Sequence, residues 1–133
     1  MSKANVDVIG SLYEHLAKGD AAAALGLMDP KIVWNEAENF PYADRNPYIG
    51  PQAVASGVFS RLGSEWKGWA VEVEELLDAG EKVVALGRYS GVNKKTGKRI
   101  HAQMVHVWQL AGGKITKFQQ YTDTAQIARA MEG

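Results

Sequence analysis

Between Trp69 and Tyr121 the chain is patterned as four consecutive β-strands with almost nothing between them. Trp69 to Leu77, Lys82 to Val92, Arg99 to Leu110 and Lys114 to Tyr121 are the strand candidates, and a glycine sits in each connection. Connections this short dictate antiparallel hairpins, because a parallel pair needs a crossover of a dozen or more residues. An extended meander must hide its apolar face, and only the residues before Trp69 and after Tyr121 can cover it.

Those residues read mainly as helices. Val6, Ile9, Leu12, Tyr13, Leu16 and Ala17 recur at helical spacing, and Lys18-Gly19-Asp20 closes that helix. Asp20 can cap a second helix, Ala21 to Met28, which stops before Asp29-Pro30. Ile32-Val33-Trp34 is a short strand, residues 37–50 an irregular loop, and Pro51 opens a third helix ending at Gly63. Thr124 to Met131 is a terminal helix capped by Asp123 or Thr122. Helices first and a meander after predict an α+β fold rather than a parallel α/β one, with residues 1–133 as one domain.

Composition narrows the partners. Fifteen basic and fifteen acidic residues cancel, so no net field draws the chain to nucleic acid or an anionic membrane. The absence of cysteine excludes a disulfide framework and a thiolate nucleophile, and fits a cytoplasmic location. The first residues lack an apolar leader core, and no stretch approaches the roughly 18 apolar residues of a membrane span. Three histidines include neither an i, i+4 pair nor a His-x-His, which argues against a metal site. Nucleotide-binding glycine motifs are missing too, so no cofactor is expected.

Lys18-Gly19-Asp20, the strand after Met28-Asp29-Pro30, Tyr48-Ile49-Gly50-Pro51, Gly113-Lys114-Ile115 and Tyr121-Thr122-Asp123-Thr124 together resemble a SnoaL-like domain. This family lies in the NTF2-like superfamily, which also holds ketosteroid isomerase and nuclear transport factor 2. The resemblance implies a cone: helices packed on a curved, mostly antiparallel sheet around a pocket. It also implies a homodimer, a habit supported by Val84, Leu86, Val105 and Val107, which oppose the other apolar set on their strands. As activity it implies acid–base chemistry (isomerase, cyclase or hydrolase type) on a hydrophobic ketone or polyketide- or steroid-like molecule. The alternatives are a non-catalytic small-molecule-binding or dimerisation module, and a protein-interaction role that would need an exposed apolar patch.

Carried over residue by residue, the resemblance is uneven. The carboxylate base of ketosteroid isomerases corresponds to Glu36. Their tyrosine donor falls at Leu12, one residue from Tyr13, and their second donor falls at His106 or Val105, so the steroid-isomerase set is incomplete. The base of SnoaL-type cyclases, near the end of the last strand, corresponds to Asp123.

Each candidate has a plainer reading beside the catalytic one. Asp123 is either a general base or the cap of the terminal helix. His106 alternates with Ile100, Ala102, Met104, Trp108 and Leu110, so it lines a pocket or sits satisfied in a core. Gln103 and His101 replace it as candidates if the strand faces the other way. Glu36 follows Ile32 and Trp34 by twos, and is either a carboxyl with a raised pKa or a loop residue in water. Trp34, Phe40, Tyr42, Tyr48, Phe59, Trp66, Trp108 and Tyr121 are the aromatic supply for binding a flat, hydrophobic ligand.

Overall fold

The computed structural model describes residues 3–133. Met1 and Ser2, part of the N-terminal stretch read above for a leader, lie outside the described residues. Helix α1 (Lys3–Ala17) buries Ile9 and Leu12 and gives way at Gly19, whose φ of 74° suits a residue without a Cβ. Asp20 caps α2 (Ala21–Leu25) by accepting from the Ala23 amide at 3.0 Å. The sequence predicts that this helix reaches Met28. It stops at Leu25 because Met28 opens strand β1 (Met28–Asn35), and the Leu27 carbonyl accepts from the Ile115 amide at 3.0 Å. A ladder formed across the molecule overrides local helix propensity there.

The segment predicted as irregular carries a 3₁₀ turn at Pro41–Arg45 and a two-residue strand, β2 (Tyr48–Ile49), antiparallel to β1. The next helix starts as α3 (Pro51–Val54), passes through a π turn at Ala55–Phe59 and continues as α4 (Ser60–Glu65), past the predicted end at Gly63. The π turn contains Gly57, against which one edge of the Tyr48 ring packs. A Cβ there would fall 2.3 Å from Tyr48 Cε2.

Strands β3 (Trp66–Ala79), β4 (Lys82–Asn93), β5 (Arg99–Ala111) and β6 (Lys114–Thr122) form the predicted meander, and β3 begins three residues earlier than its pattern suggested. The sheet order is β2-β1-β6-β5-β4-β3, antiparallel throughout except that β1 runs parallel to β6. Register shifts interrupt β3 between Lys67 and Ala70 and between Val73 and Glu75. Beside the second shift, Gly87 lets the strands close up, since a Cβ would meet the Glu72 carbonyl oxygen at 2.1 Å. Such bulges bend a sheet, and this one curves over the helices.

The predicted face of β5 is the buried one: Ile100, Ala102, Met104, His106, Trp108 and Leu110 all point inward. Helix α5 (Thr124–Met131) buries Ile127 and Ala130 against the far end of the same sheet. Helices on one side of a six-stranded curved sheet make an α+β architecture. Among the described residues no helix is long and apolar enough to cross a membrane.

Candidate active site

The curved sheet and the helices enclose a cavity of about 630 Å³, within the size range of small-molecule sites. Its wall is aromatic: Trp34, Phe59, Trp66, Trp69, Trp108 and Phe118. Trp34 and Phe118 overlap with centroids 3.9 Å apart, and Trp108 meets Phe118 at 4.5 Å. Five polar side chains enter this wall: Tyr13 from α1, Glu36 from the residue after β1, and Tyr89, His106 and Gln120 from β4, β5 and β6.

Glu36 lies just beyond β1 and is only 3% exposed. Its backbone is held on both sides. Asn46 Oδ1 accepts from the Glu36 amide at 2.9 Å, Asn46 Nδ2 donates to the Glu36 carbonyl at 2.8 Å, and Gln120 Oε1 accepts from the Ala37 amide at 3.0 Å. These bonds exclude the water-facing loop position that the sequence left open. Trp34 Nε1 donates to Oε2 at 3.2 Å, and Oε1 has no partner among the described residues. Burial pushes the carboxyl up to about 8, while the Trp34 bond and the positive field of Arg61 pull it back. A carboxyl so placed holds its proton at neutral pH and exchanges it readily just above.

His106 stands between two phenols. Tyr13 Oη is 2.6 Å from Nδ1 and Tyr89 Oη is 2.5 Å from Nε2. Trp108 Nε1 donates to Tyr13 Oη at 2.9 Å, and Gln120 Nε2 donates to Tyr89 Oη at 2.8 Å. Burial lowers the imidazole to about 3, so the ring is neutral. Burial also raises both phenols above their ordinary value, so both keep their protons. The result is a chain of neutral hydrogen-bonding groups across one end of the cavity.

A second polar cluster sits beside the cavity and braces it. Arg61 donates to both carboxylate oxygens of Asp44 at 2.9 and 2.8 Å, and to Tyr48 Oη at 2.7 Å. Tyr48 donates to the Tyr42 carbonyl, and Tyr42 donates to Glu65 while accepting from Trp66 Nε1 at 3.0 Å. Trp66 thus presents its ring to the cavity with its N–H tied outside it.

Of the residues picked from the sequence, Glu36, His106, Trp34, Phe59, Trp66 and Trp108 line the cavity. The others do not. Phe40 packs against Tyr42 and Trp69 in the neighbouring core. Tyr42 and Tyr48 are buried but belong to the Arg61 cluster, because their hydroxyls are held by groups behind the wall. Gln103 is exposed on the outer face of β5, opposite Arg88. Tyr121 is 55% exposed, since the inward parity on β6 belongs to Phe118 and Gln120. Asp123 is exposed and accepts from the Gln126 amide at 3.1 Å, capping α5.

Tyr13, Tyr89, Gln120, Trp69 and Phe118 line the cavity and were not chosen from the sequence. A signal existed for two of them. Tyr89 follows Val83, Ala85 and Gly87 by twos on an otherwise apolar face of β4, as His106 does on β5, whereas Gln120 shares its parity on β6 with the buried Phe118 alone. Tyr13 lies at the helix position next to the one the resemblance indicated. Among the described residues no group of three His, Cys, Asp or Glu side chains could hold a metal ion.

The model of the SnoaL-like domain matches residues 9–118. An NTF2-like protein from Burkholderia thailandensis is 37% identical, covering 96% of this chain and 97% of that one, with a TM-score of 0.92. An NTF2-like protein of unknown function from Burkholderia pseudomallei is 22% identical over the whole of both chains, with a TM-score of 0.89. TerC, crystallised with polyporic acid, is 20% identical over 98% of this chain and 100% of its own, with a TM-score of 0.87, and shares the fold. No curated protein matches the chain. On both the matched residues and the fold, the chain belongs to the SnoaL-like family of NTF2-like proteins.

Proposed function

We propose that the protein is a cofactor-independent enzyme that moves a proton on a flat, hydrophobic carbonyl compound. Glu36 serves as the acid–base group, and the Tyr13–His106–Tyr89 chain holds the carbonyl oxygen as charge develops on it. The observation that carries this reading is the Glu36 carboxyl: buried, tied through one oxygen to Trp34, lining an aromatic cavity, and with no partner for the other oxygen among the described residues. Isomerisation and aldol-type cyclisation of a ketone both begin with such a proton transfer, and in hydrolytic cleavage the same group would take the proton of the water that adds to the carbonyl. The co-crystallisation of TerC, a protein of the same fold, with polyporic acid supports a planar, oxygen-bearing ligand. Asp123 enters this reading only as a helix cap.

Proton transfer can be read without knowing the product. Exchange of α-hydrogens for deuterium in flat ketones and enones, followed by NMR, is expected to accelerate with the wild-type protein. It is expected to fall on the order of 10²-fold or more with Glu36→Gln. Equal exchange by both proteins would remove Glu36 from the mechanism. Binding of the ketones without any exchange would favour the non-catalytic module, which the same cavity can serve.

Homodimerisation is part of the proposal. On the outer face of the sheet Val84 pairs with Val107, Leu86 with Val105, and Val105 with the exposed Tyr121. Leu77, 40% exposed, extends this apolar strip onto β3 opposite Val84. Sedimentation at micromolar concentration is expected to give about twice the 14.5 kDa chain mass, and a monomer would refute it. The lack of cysteine supports a cytoplasmic location.

A further inference from the structure

The hydrogen bonds around His106 have a direction that can be traced from a fixed end. A backbone amide can only donate, so the Ala37 N–H makes Gln120 Oε1 an acceptor and turns Nε2 toward Tyr89. Tyr89 Oη therefore accepts from Gln120, and its own proton needs an acceptor. Tyr89 is 4% exposed, and the acceptor beside it is His106 Nε2. A neutral imidazole that accepts at Nε2 carries its hydrogen on Nδ1, and Nδ1 then donates to Tyr13 Oη. Tyr13 Oη also receives the Trp108 Nε1–H, an obligate donor. Both lone pairs of the Tyr13 oxygen are then engaged, and its own hydrogen finds no acceptor among the described residues.

We infer that Gln120 is a positioning residue that sets the tautomer of His106, so that Tyr13 presents its hydroxyl proton to the cavity. The site thereby selects a ligand with a hydrogen-bond acceptor at that point, such as a carbonyl, enolate or carboxylate oxygen, and disfavours an amine or other pure donor. The opposite tautomer reverses only the two bonds made by His106 itself. Tyr13 then gives its proton to Nδ1, and Tyr89, which still accepts from Gln120, is left with a hydroxyl proton that has no acceptor among the described residues. Both phenols line the cavity, and Tyr13 is the better of the two to be left over because it is only half-buried whereas Tyr89 is buried. Two N–H groups converging on its oxygen also strengthen it as a donor.

The use of that donor in a reaction rests on the function proposed above, whereas the direction of the chain does not. Nitrogen-15 NMR of the imidazole in a His15→Gln, His101→Gln background, which leaves one histidine, reads the tautomer in the ligand-free protein. Hydrogen on Nδ1 with a pyridine-type Nε2 is expected. Hydrogen on Nε2, or on both nitrogens at neutral pH, would overturn the inference even if ketone exchange were found. In Gln120→Glu, read above the pH at which the new carboxyl ionises, the carboxylate still accepts from Ala37 but takes the proton of Tyr89, so the hydrogen is expected to move to Nε2. A folded variant that kept the hydrogen on Nδ1 would remove Gln120 from the role. If that variant failed to fold, the wild-type spectrum alone would still decide the direction of the chain. Absence of ketone exchange with the expected tautomer would count against the proposed function and leave the chain's direction intact.

Discussion

The indole N–H of Trp34 donates to Oε2 of Glu36 at 3.2 Å, two residues along the same face of the chain. The contact stabilises the ionised carboxylate, yet burial outweighs it and holds the pKa at about 8. Below pH 4.5 both folded and unfolded chains keep this proton. Between 4.5 and about 8 the unfolded chain releases it and the folded chain does not, so stability falls as pH rises through that window. Glu36→Gln lacks this penalty. Thermal melts should show the variant gaining on wild type from pH 4.5 upward by a few kcal/mol, with a constant gap above pH 8. A gap independent of pH would mean that the carboxyl is not buried as described.

His106 acts in the opposite sense. Its folded pKa, about 3, lies below the ordinary 6.5, so its contribution is present above pH 6.5 and is lost as pH falls toward 3. Denaturant titrations of wild type should show this acid-side loss. In His106→Gln the slope below pH 6.5 should flatten, although the variant starts less stable because both phenols lose a partner.

Tyr13→Phe removes the acceptor of two N–H groups, Trp108 Nε1 and His106 Nδ1. Leaving these donors unpaired should cost about 1–3 kcal/mol. Deuterium exchange of ketones should fall further than stability alone explains, because the hydroxyl facing the cavity is gone. Exchange at the wild-type rate in a destabilised but folded Tyr13→Phe would take the hydroxyl out of the chemistry.

Asp123 separates the two carboxylates that the sequence offered. Its Oδ1 accepts from the Gln126 amide at 3.1 Å and its Oδ2 from Gln126 Nε2 at 3.2 Å, both outside the cavity. Asp123→Asn keeps a good cap and should change stability little, while Asp123→Ala should cost about 1 kcal/mol. Neither should alter exchange. Loss of exchange in Asp123→Asn, with the melting temperature unchanged, would return the base role to the end of the last strand.

Gly57→Ala places a methyl group 2.3 Å from the Tyr48 ring, inside the π turn that carries Val58 and Phe59 to the cavity. Overpacking of this kind costs about 1–3 kcal/mol. Adding Tyr48→Leu, which vacates the ring's edge, should recover part of the loss, and strict additivity in the double mutant would show that the two do not meet.

How much of this was legible before folding can be judged from neighbouring residues. The alternation of β5 places His106 on the buried face because strand side chains alternate with period two, and that depends on nothing beyond the strand itself. The same rule fails on β6: counted by twos from the buried Ile115 it turns Tyr121 inward, but the register shift opposite Gln109 and Leu110 changes the parity, so Phe118 and Gln120 face in and Tyr121 faces out. Asp20 and Asp123 as caps are equally local, since each bonds an amide three residues on.

The amino-acid order by itself determined the buried faces of β4 and β5, the glycine turns and the caps of α2 and α5, and it placed aromatic residues where they could line a pocket. Tertiary structure alone decided which of them meet. Tyr13 reaches His106 across 93 positions, and Gln120 reaches the Ala37 amide across 83, because β1 inserts beside β6 and the sheet curls over α1. Local periodicity says which way a side chain points, but not what stands opposite it. Burial of Glu36 likewise depends on Asn46 and Gln120 closing from either side, and only in that closed setting does a carboxyl with an ordinary pKa near 4.5 hold its proton to about 8.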